Sequence, residues 1–358
     1  MWVGDQKIAS CLCVCTMFLR VCRARRAVCG TNLGAAGRRG SRSMTCFFST
    51  QATPGGQENV QKVASDLVEK LDYDHYMMSL FFPERSRAAY HAIRAYNVEL
   101  STIRDSVHGN ELTGKMRFQF WRDALEKIYS GQAVPQHPTV LALARACRSH
   151  RIGRQWLERC LNAKEAELIG TKDGWVNMSD LEEYSEAAFS SLLYSSIDCL
   201  DVEETESINA AASHVGIALG MVTILRAIPH TVSTEQRVTI PRWVMAKSSA
   251  TDEEFIEAAQ VGPSALGVDS KNAIFEVSSV AHSHILAARA MLEEIPHEAK
   301  PAYLPGLIAI DYLDHLEQAD FNVFDTALRS RSKRGWHTLK FLWNLRKYAN
   351  KGIPLGPM

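Results

Sequence analysis

Apolar residues recur at helical spacing along nearly the whole chain after Pro54-Gly55-Gly56, and this single period leaves room for little except a bundle of helices. Val60, Val63, Ala64, Leu67 and Leu71 mark a first helix. Pro83 opens a second, with a stripe of Ala89, Ala92, Ile93, Tyr96, Leu100 and Ile103; proline suits a helix start because its missing N–H would find no partner there anyway. A third helix is expected from about Leu112 to Tyr129, stopping at Gly131, and His137-Pro138 begins the next. Ser179 with Glu182, and Thr251 with Glu254, have capping-box spacing ahead of Leu181–Leu193 and Phe255–Ala259. Further helices are expected over 207–226, 271–294 and 302–316. Val238-Thr239-Ile240 is strand-like but has no obvious partner. With no linker after residue 57 and no internal repeat, the expected architecture is one large all-α bundle.

The first fifty residues differ from the rest. They carry eight basic side chains against Asp5 alone, whereas the whole chain balances at 40 and 40, so the excess of acid lies in the remainder. A basic, nearly acid-free leader ending in Arg42-Ser43-Met44-Thr45-Cys46-Phe47-Phe48-Ser49 reads as a mitochondrial presequence, with removal expected near residues 48–50. A secretory signal fits poorly, because the charges follow the apolar stretch 8–21 instead of preceding it. Three segments are therefore expected: a presequence over 1–50, a helical domain over 51–328 and a basic aromatic tail over 329–358. Six of nine cysteines fall in the leader; Cys147, Cys160 and Cys199 are widely spaced and read as small buried hydrophobes rather than a disulfide or zinc framework. Balanced charge disfavours nucleic acid as a partner. The longest apolar run, Val215–Leu225, is 11 residues. A spanning helix needs ~20, so this run reads as a core helix.

Helical bundles commonly hold ligands between facing helices. Two segments invite that reading, 88–105 and 216–231, the latter continuing to Arg237 and Pro241. Together with Trp121-Arg122-Asp123, Tyr129-Ser130-Gly131, His137-Pro138 and Leu181-Glu182-Glu183-Tyr184, in that order, they make residues from about 66 to 346 resemble the squalene and phytoene synthase family. The resemblance implies an isoprenoid-synthase-like helical bundle with a central cavity. In that family two Asp-x-x-x-Asp motifs face one another. Residues four apart share a helix face, so each motif aims two carboxylates at one point, where magnesium bridges them to diphosphate oxygens.

On this chain the first pair falls on Ser101 and Asp105 and the second on Ala227 and Thr231, leaving one carboxylate of four. Two further family positions, a Gln and an Asn, fall on Gly220 and Thr223. Hydroxyls are poor substitutes for carboxylates, and a metal clamp contributes several kcal/mol, with each ~1.4 kcal/mol worth tenfold in rate. A non-catalytic protein with no cofactor and no bound metal is therefore expected. Asp311 with Asp314, Glu165, and His282 with His284 could in principle replace the lost acids, but each reads more simply as a solvated face, and the two histidines lie about 200° apart on a helix; Glu167 falls where the family also carries an acid, yet one residue does not rebuild a site. Arg226 matches a family arginine. It either contacts an anion or Asp105 across the cavity, or ends an apolar helix and complements its dipole.

Within the family, the leader, the eroded motifs and the tail together resemble a mitochondrial branch of assembly factors for NADH:ubiquinone oxidoreductase, respiratory complex I. That resemblance implies early help to a membrane-arm subunit at the matrix face of the inner membrane, with that subunit or other assembly factors as partners. Residues 329–351 carry eight basic and no acidic side chains. Trp336 and Trp343 lie near Lys340, Arg346 and Lys347, a pattern suited to a helix on an anionic bilayer, and equally to a terminal helix docked on the bundle. Two other functions stay open: a prenyl-diphosphate-using transferase with a displaced metal site, and a lipid-binding protein.

Overall fold

The computed structural model describes residues 56–107, 110–170, 174–330 and 343–347. The expected leader lies outside the described residues, as do Trp336 and Lys340. Helices follow one another throughout: α1 (Gly56–Leu71), α2 (Tyr73–Ser79), α3 (Glu84–Ser101), α4 (Ile103–Val107), α5 (Glu111–Ser130), α6 (Pro138–Ser149), α7 (Arg154–Gly170), α8 (Met178–Ser185) and α9 (Ser191–Asp198). After these come α10 (Glu206–Glu235), α11 (Arg242–Lys247), α12 (Asp252–Val261), α13 (Val268–Met291), α14 (Gly306–Gln318) and α15 (Thr326–Ser330). No strand occurs among the described residues. The all-α architecture is thus the one the hydrophobic period predicts.

Local chemistry accounts for most boundaries. Asn110 caps α5 by accepting from the Thr113 N–H, and Gly131, at φ 72°, closes the other end in the left-handed conformation that glycine adopts without steric cost. Thr251 caps α12 as its spacing predicts, accepting from the Glu254 N–H. The other predicted cap is displaced: α8 begins after Asn177, and it is Asp180 whose carboxylate accepts from the Val176 and Asn177 N–H groups. Between α8 and α9 the chain makes one π-helical segment, Glu186–Ser190, which a search for 3.6-residue periodicity cannot register.

Two large apolar clusters form most of the core. One gathers α1, α3, α5, α6 and α7 around Tyr96, Phe118, Leu125 and Leu143; the other surrounds α10, with Ile208, Val222, Ile228, Ile274 and Tyr303. Each such fully buried side chain contributes about 1.5–3 kcal/mol. At 30 residues α10 runs well past the expected end near Arg226 and carries Pro229 in its interior. A proline that removes one N–H and crowds the carbonyl four residues back ordinarily ends a helix, which is why the sequence suggests an earlier stop. By length and composition α10 could cross a membrane, contrary to the estimate from its 11-residue run, yet 67% of its most apolar window is buried inside the bundle. Gly216 and Gly220 lie four apart on α10, and there Ser190 and Ser185 approach so closely that a Cβ has no room. The strand-like residues Val238 and Ile240 are buried in an extended segment and pair with no strand.

Candidate functional site

Where the two clusters meet, a cavity of about 160 Å³ opens. Leu100 and Phe118 of one cluster and Leu219, Ile224 and Ile308 of the other line it, and so do Ser101, Asp105, Ala227 and Thr231. Residues 126 positions apart thus face a common space. The first pair does not share one helix, as a four-residue spacing suggests. Helix α3 ends at Ser101, and the Thr102 hydroxyl donates to the Glu99 carbonyl at 3.0 Å before the chain resumes as α4. A threonine side chain that competes for a backbone acceptor loosens the helix at that turn.

Each motif position has its own chemistry. The Ser101 hydroxyl accepts from the Lys164 ammonium at 3.0 Å. Ala227 supplies no oxygen, and the Thr231 hydroxyl donates to the Ile228 carbonyl at 3.2 Å. Thr223, also lining the cavity, is similarly occupied by Leu219. Asp105 alone offers a carboxyl: its Oδ2 is buried without a hydrogen-bond partner, and burial, only partly offset by the neighbouring Arg104, pushes its pKa up to about 7. Gly220 does not line the cavity but packs against Ser185, so the family's glutamine has no space at that position.

The remaining acids of the cavity are engaged by arginines. Glu167 binds Arg104 at 2.5 Å and Arg237 at 3.0 Å, while Glu235 lies 3.1 Å from Arg104 and 3.5 Å from Arg237. Arg104, Glu235 and Arg237 also line a second depression of about 310 Å³ with Arg242 and Asp252, so this network forms the wall between the two spaces. At the other end Asp72 takes Arg94 at 2.6 Å and the His75 Nδ1–H at 2.8 Å. Burial opposes ionisation of Asp72, but these two partners together hold its pKa far below the usual carboxylate range. The Lys164 ammonium stands 5.6 Å from the centre of the Phe189 ring, and its pKa is lowered by burial.

Magnesium, which the resemblance implies, does not fit these residues. It needs several free oxygen donors, and of the four carboxyls lining the cavity three are held by arginines, leaving that of Asp105, with an ammonium seated on Ser101. Among the described residues no three of His, Cys, Asp or Glu are grouped to hold a metal.

The other singled-out residues are placed as follows. Arg226 is not at a helix end, since α10 continues for nine more residues; it lines the cavity and sits 5.6 Å from the Tyr312 ring centre. Glu165 pairs with Arg122, and Asp311 with His315. His284 is no solvated residue: it meets His214 at 2.8 Å and Glu182 at 3.1 Å, whereas His282 lies on another face of α13. Cys160 and Cys199 are buried as expected, while Cys147 is half-buried, and all three are free thiols. Trp343, Arg346 and Lys347 are exposed. Lys164, Arg104 and the Asp72–His75–Arg94 group escaped the sequence reading. Arg94 and Arg104 stand inside the suggestive segment 88–105, but nothing in the pattern around Lys164 marks it.

The squalene/phytoene synthase family profile matches residues 68–336. A Bos taurus protein, "NADH dehydrogenase (ubiquinone) complex I, assembly factor 6", is 34% identical over 301 residues, covering 84% of this chain and 87% of its own. Its Mus musculus namesake is 33% identical over 267 residues, covering 75% and 77% respectively. Among solved structures, a dehydrosqualene synthase crystallised with ligand superposes with a TM-score of 0.66 at 15% identity, covering 82% of this chain and 98% of that one. At that identity the likeness concerns the fold.

Proposed function

The chain belongs to the squalene/phytoene synthase family, and from that membership and the role its relatives are named for we infer that it is an assembly factor for respiratory complex I. The observation that carries this reading is identity above 30% along most of both chains to proteins named for that role. Complex I components are accordingly its partners, and the mitochondrion its compartment.

The finer reading is that the bundle works without turnover. Three of the four positions that would hold magnesium carry no carboxylate, and the nearby acids Glu167 and Glu235 are held by Arg104 and Arg237. Residues 1–50 are removed on import. The domain over 51–328 then acts at the matrix face of the inner membrane, early in the making of a membrane-arm subunit, with the tail from 329 onward on the lipid surface.

Cells lacking the protein test this reading when complemented with the wild type, with Asp105→Ala and with Ser101→Asp, and complex I is followed on blue-native gels. Asp105→Ala should restore complex I as the wild type does. Failure of a stably expressed Asp105→Ala protein would contradict a non-catalytic role. The transferase alternative is decided separately: purified protein incubated with magnesium and farnesyl or geranylgeranyl diphosphate should release no diphosphate, and measurable release would support an enzyme instead.

A further inference from the structure

Helix α13 carries two stripes, and only one of them is covered among the described residues. Ala273, Ile274, Val277, Ala281, Ile285 and Ala288 are buried, and the helix packs along α10. The other stripe, Val268, Asn272, Phe275, Ser279, His282 and Leu286, alternates steps of four and three residues, occupies about 80° of the helix surface and contains no Asp, Glu, Lys or Arg. Val268 is 71%, Phe275 51% and Leu286 48% exposed. The outward side of a surface helix ordinarily carries charge, whereas a stripe with this heptad spacing is the seam of a helix pair. Charge stands beside the stripe instead: Asp269 and Glu276 on one flank, Lys271 and Arg289 on the other. Exposed Trp243 borders the acidic flank, because Lys247 lies 5.0 Å from its ring centre and 2.7 Å from Glu276. Phe321 borders the basic flank, since Asp320 pairs with Lys271 at 2.8 Å and the Phe321 ring meets Phe275 edge-on with centroids 4.9 Å apart.

We propose that this stripe is a dimer seam whose occupant is α13 of a second copy of the chain, lying parallel to it about a twofold axis. The flank charges select both the partner and its direction. In a parallel pair the acidic flank of each helix meets the basic flank of the other, which brings Glu276 of one copy to Lys271 of its mate and the reverse. In an antiparallel pair acid would meet acid and base would meet base, an arrangement that costs free energy. Asn272 stands at a seam position where two asparagines hydrogen-bond to each other in the matched parallel register, fixing the alignment at some cost in stability. Val268, Phe275 and Leu286 supply the apolar contact. Within the chain Glu276 pairs with Lys247 and Lys271 with Asp320, so each charge at the seam edge keeps a partner as the copies close. A seam this short, with polar positions in it, belongs with small and reversible interfaces. Nothing in this pairing depends on the assembly-factor role.

Sedimentation velocity of the full-length chain, from nanomolar to tens-of-micromolar concentrations, tests it. The wild type should pass reversibly from monomer to dimer, half-dimerising at a concentration on the order of micromolar. Phe275→Glu, which sets two carboxylates against each other in the seam, should raise that concentration at least about tenfold with the melting temperature retained. Asn272→Ile, which removes the polar pair, should lower it. Direction is read by mild oxidation of the Asn272→Cys protein: a matched parallel seam brings the two new thiols within disulfide reach, and peptide mass spectrometry should find position 272 of one chain bonded to position 272 of the other. A monomer at every concentration, a dimer indifferent to Phe275→Glu, or a dimer of the Asn272→Cys protein that forms no 272–272 bond would each overturn the proposal. Should Phe275→Glu fail to fold, the 272–272 bond decides alone.

Discussion

Two aspartates that line one cavity show how surroundings set the chemistry of one side chain. Asp72 is gripped by Arg94 and His75 and stays ionised far below the usual range, whereas Asp105, buried without a partner, is held up to about pH 7. Between the ordinary carboxylate pKa and 7 the native state keeps a proton on Asp105 that the unfolded chain has released, so this residue subtracts stability as pH rises. Asp105→Asn should therefore raise the melting temperature relative to wild type, with a gain that grows from pH 5 to pH 8. A pH-independent difference in thermal scans would show that the carboxyl titrates normally. For Asp72 the sign is opposite: its contribution is present at neutral pH and is lost as acid protonates it. Arg94→Met leaves that buried carboxylate without its main partner and should cost about 3–5 kcal/mol in urea unfolding at pH 7. The motif positions Ser101, Asp105, Ala227 and Thr231 were legible as a set because they occupy recognisable segments. Lys164 and Glu235 were not, nor was the pairing of Glu167 with Arg237, because an ion pair across 70 residues leaves no periodic trace in a single chain.

Helices with strong amphipathic stripes and terminal Pro, Gly or capping side chains were the legible ones: α5 is expected to within one residue at each end, α6 at its Pro138 start and α12 at its Thr251 cap. The reading failed where tertiary packing overrides local preference: α10 continues through Pro229, α3 breaks at Thr102, and Glu186–Ser190 winds as a π-helix against α10. The last contact explains the two glycines. A Cβ on Gly220 would lie 2.5 Å from the Ser185 Cβ, and one on Gly216 would meet the Ser190 backbone. Replacing glycine by alanine inside a helix ordinarily gains about 1 kcal/mol, but overpacking a tight contact costs about 1–3 kcal/mol. Gly220→Ala should thus lower the denaturation midpoint at constant slope, and Gly216→Ala, opposed by the Ser190 backbone as well as by its hydroxyl, should lower it further. Unchanged or raised midpoints would mean that α8 and α10 can separate without cost. The same crowding leaves no room for a glutamine side chain at 220.

At the scale of the whole molecule, α10 is buried in the bundle, so the proposed membrane contact falls to the tail, where residues 343–347 form a single helical turn with two distinct sides. Leu345 is fully buried in the α10-centred cluster, so the tail is tied to the domain here. Trp343, 65% exposed, faces outward with Lys347 5.7 Å from its ring centre and Arg346 exposed beside it. Docking on the bundle and the proposed contact with lipid therefore fall on different residues and can be separated by mutation. Leu345→Asp places a charge in an apolar core, a change costing several kcal/mol, and should depress the melting temperature whether or not lipid is present. Arg346→Gln with Lys347→Gln should leave the melting temperature unaltered. Each basic residue near an anionic surface contributes about 1 kcal/mol, so the double variant should bind vesicles containing cardiolipin roughly thirtyfold more weakly. Because charge drives that part of the attraction, raising the salt concentration should narrow the gap between wild type and variant. Co-sedimentation with vesicles in which the double variant matches the wild type at low salt would remove this face of the tail from the membrane and leave it an ordinary docked terminus.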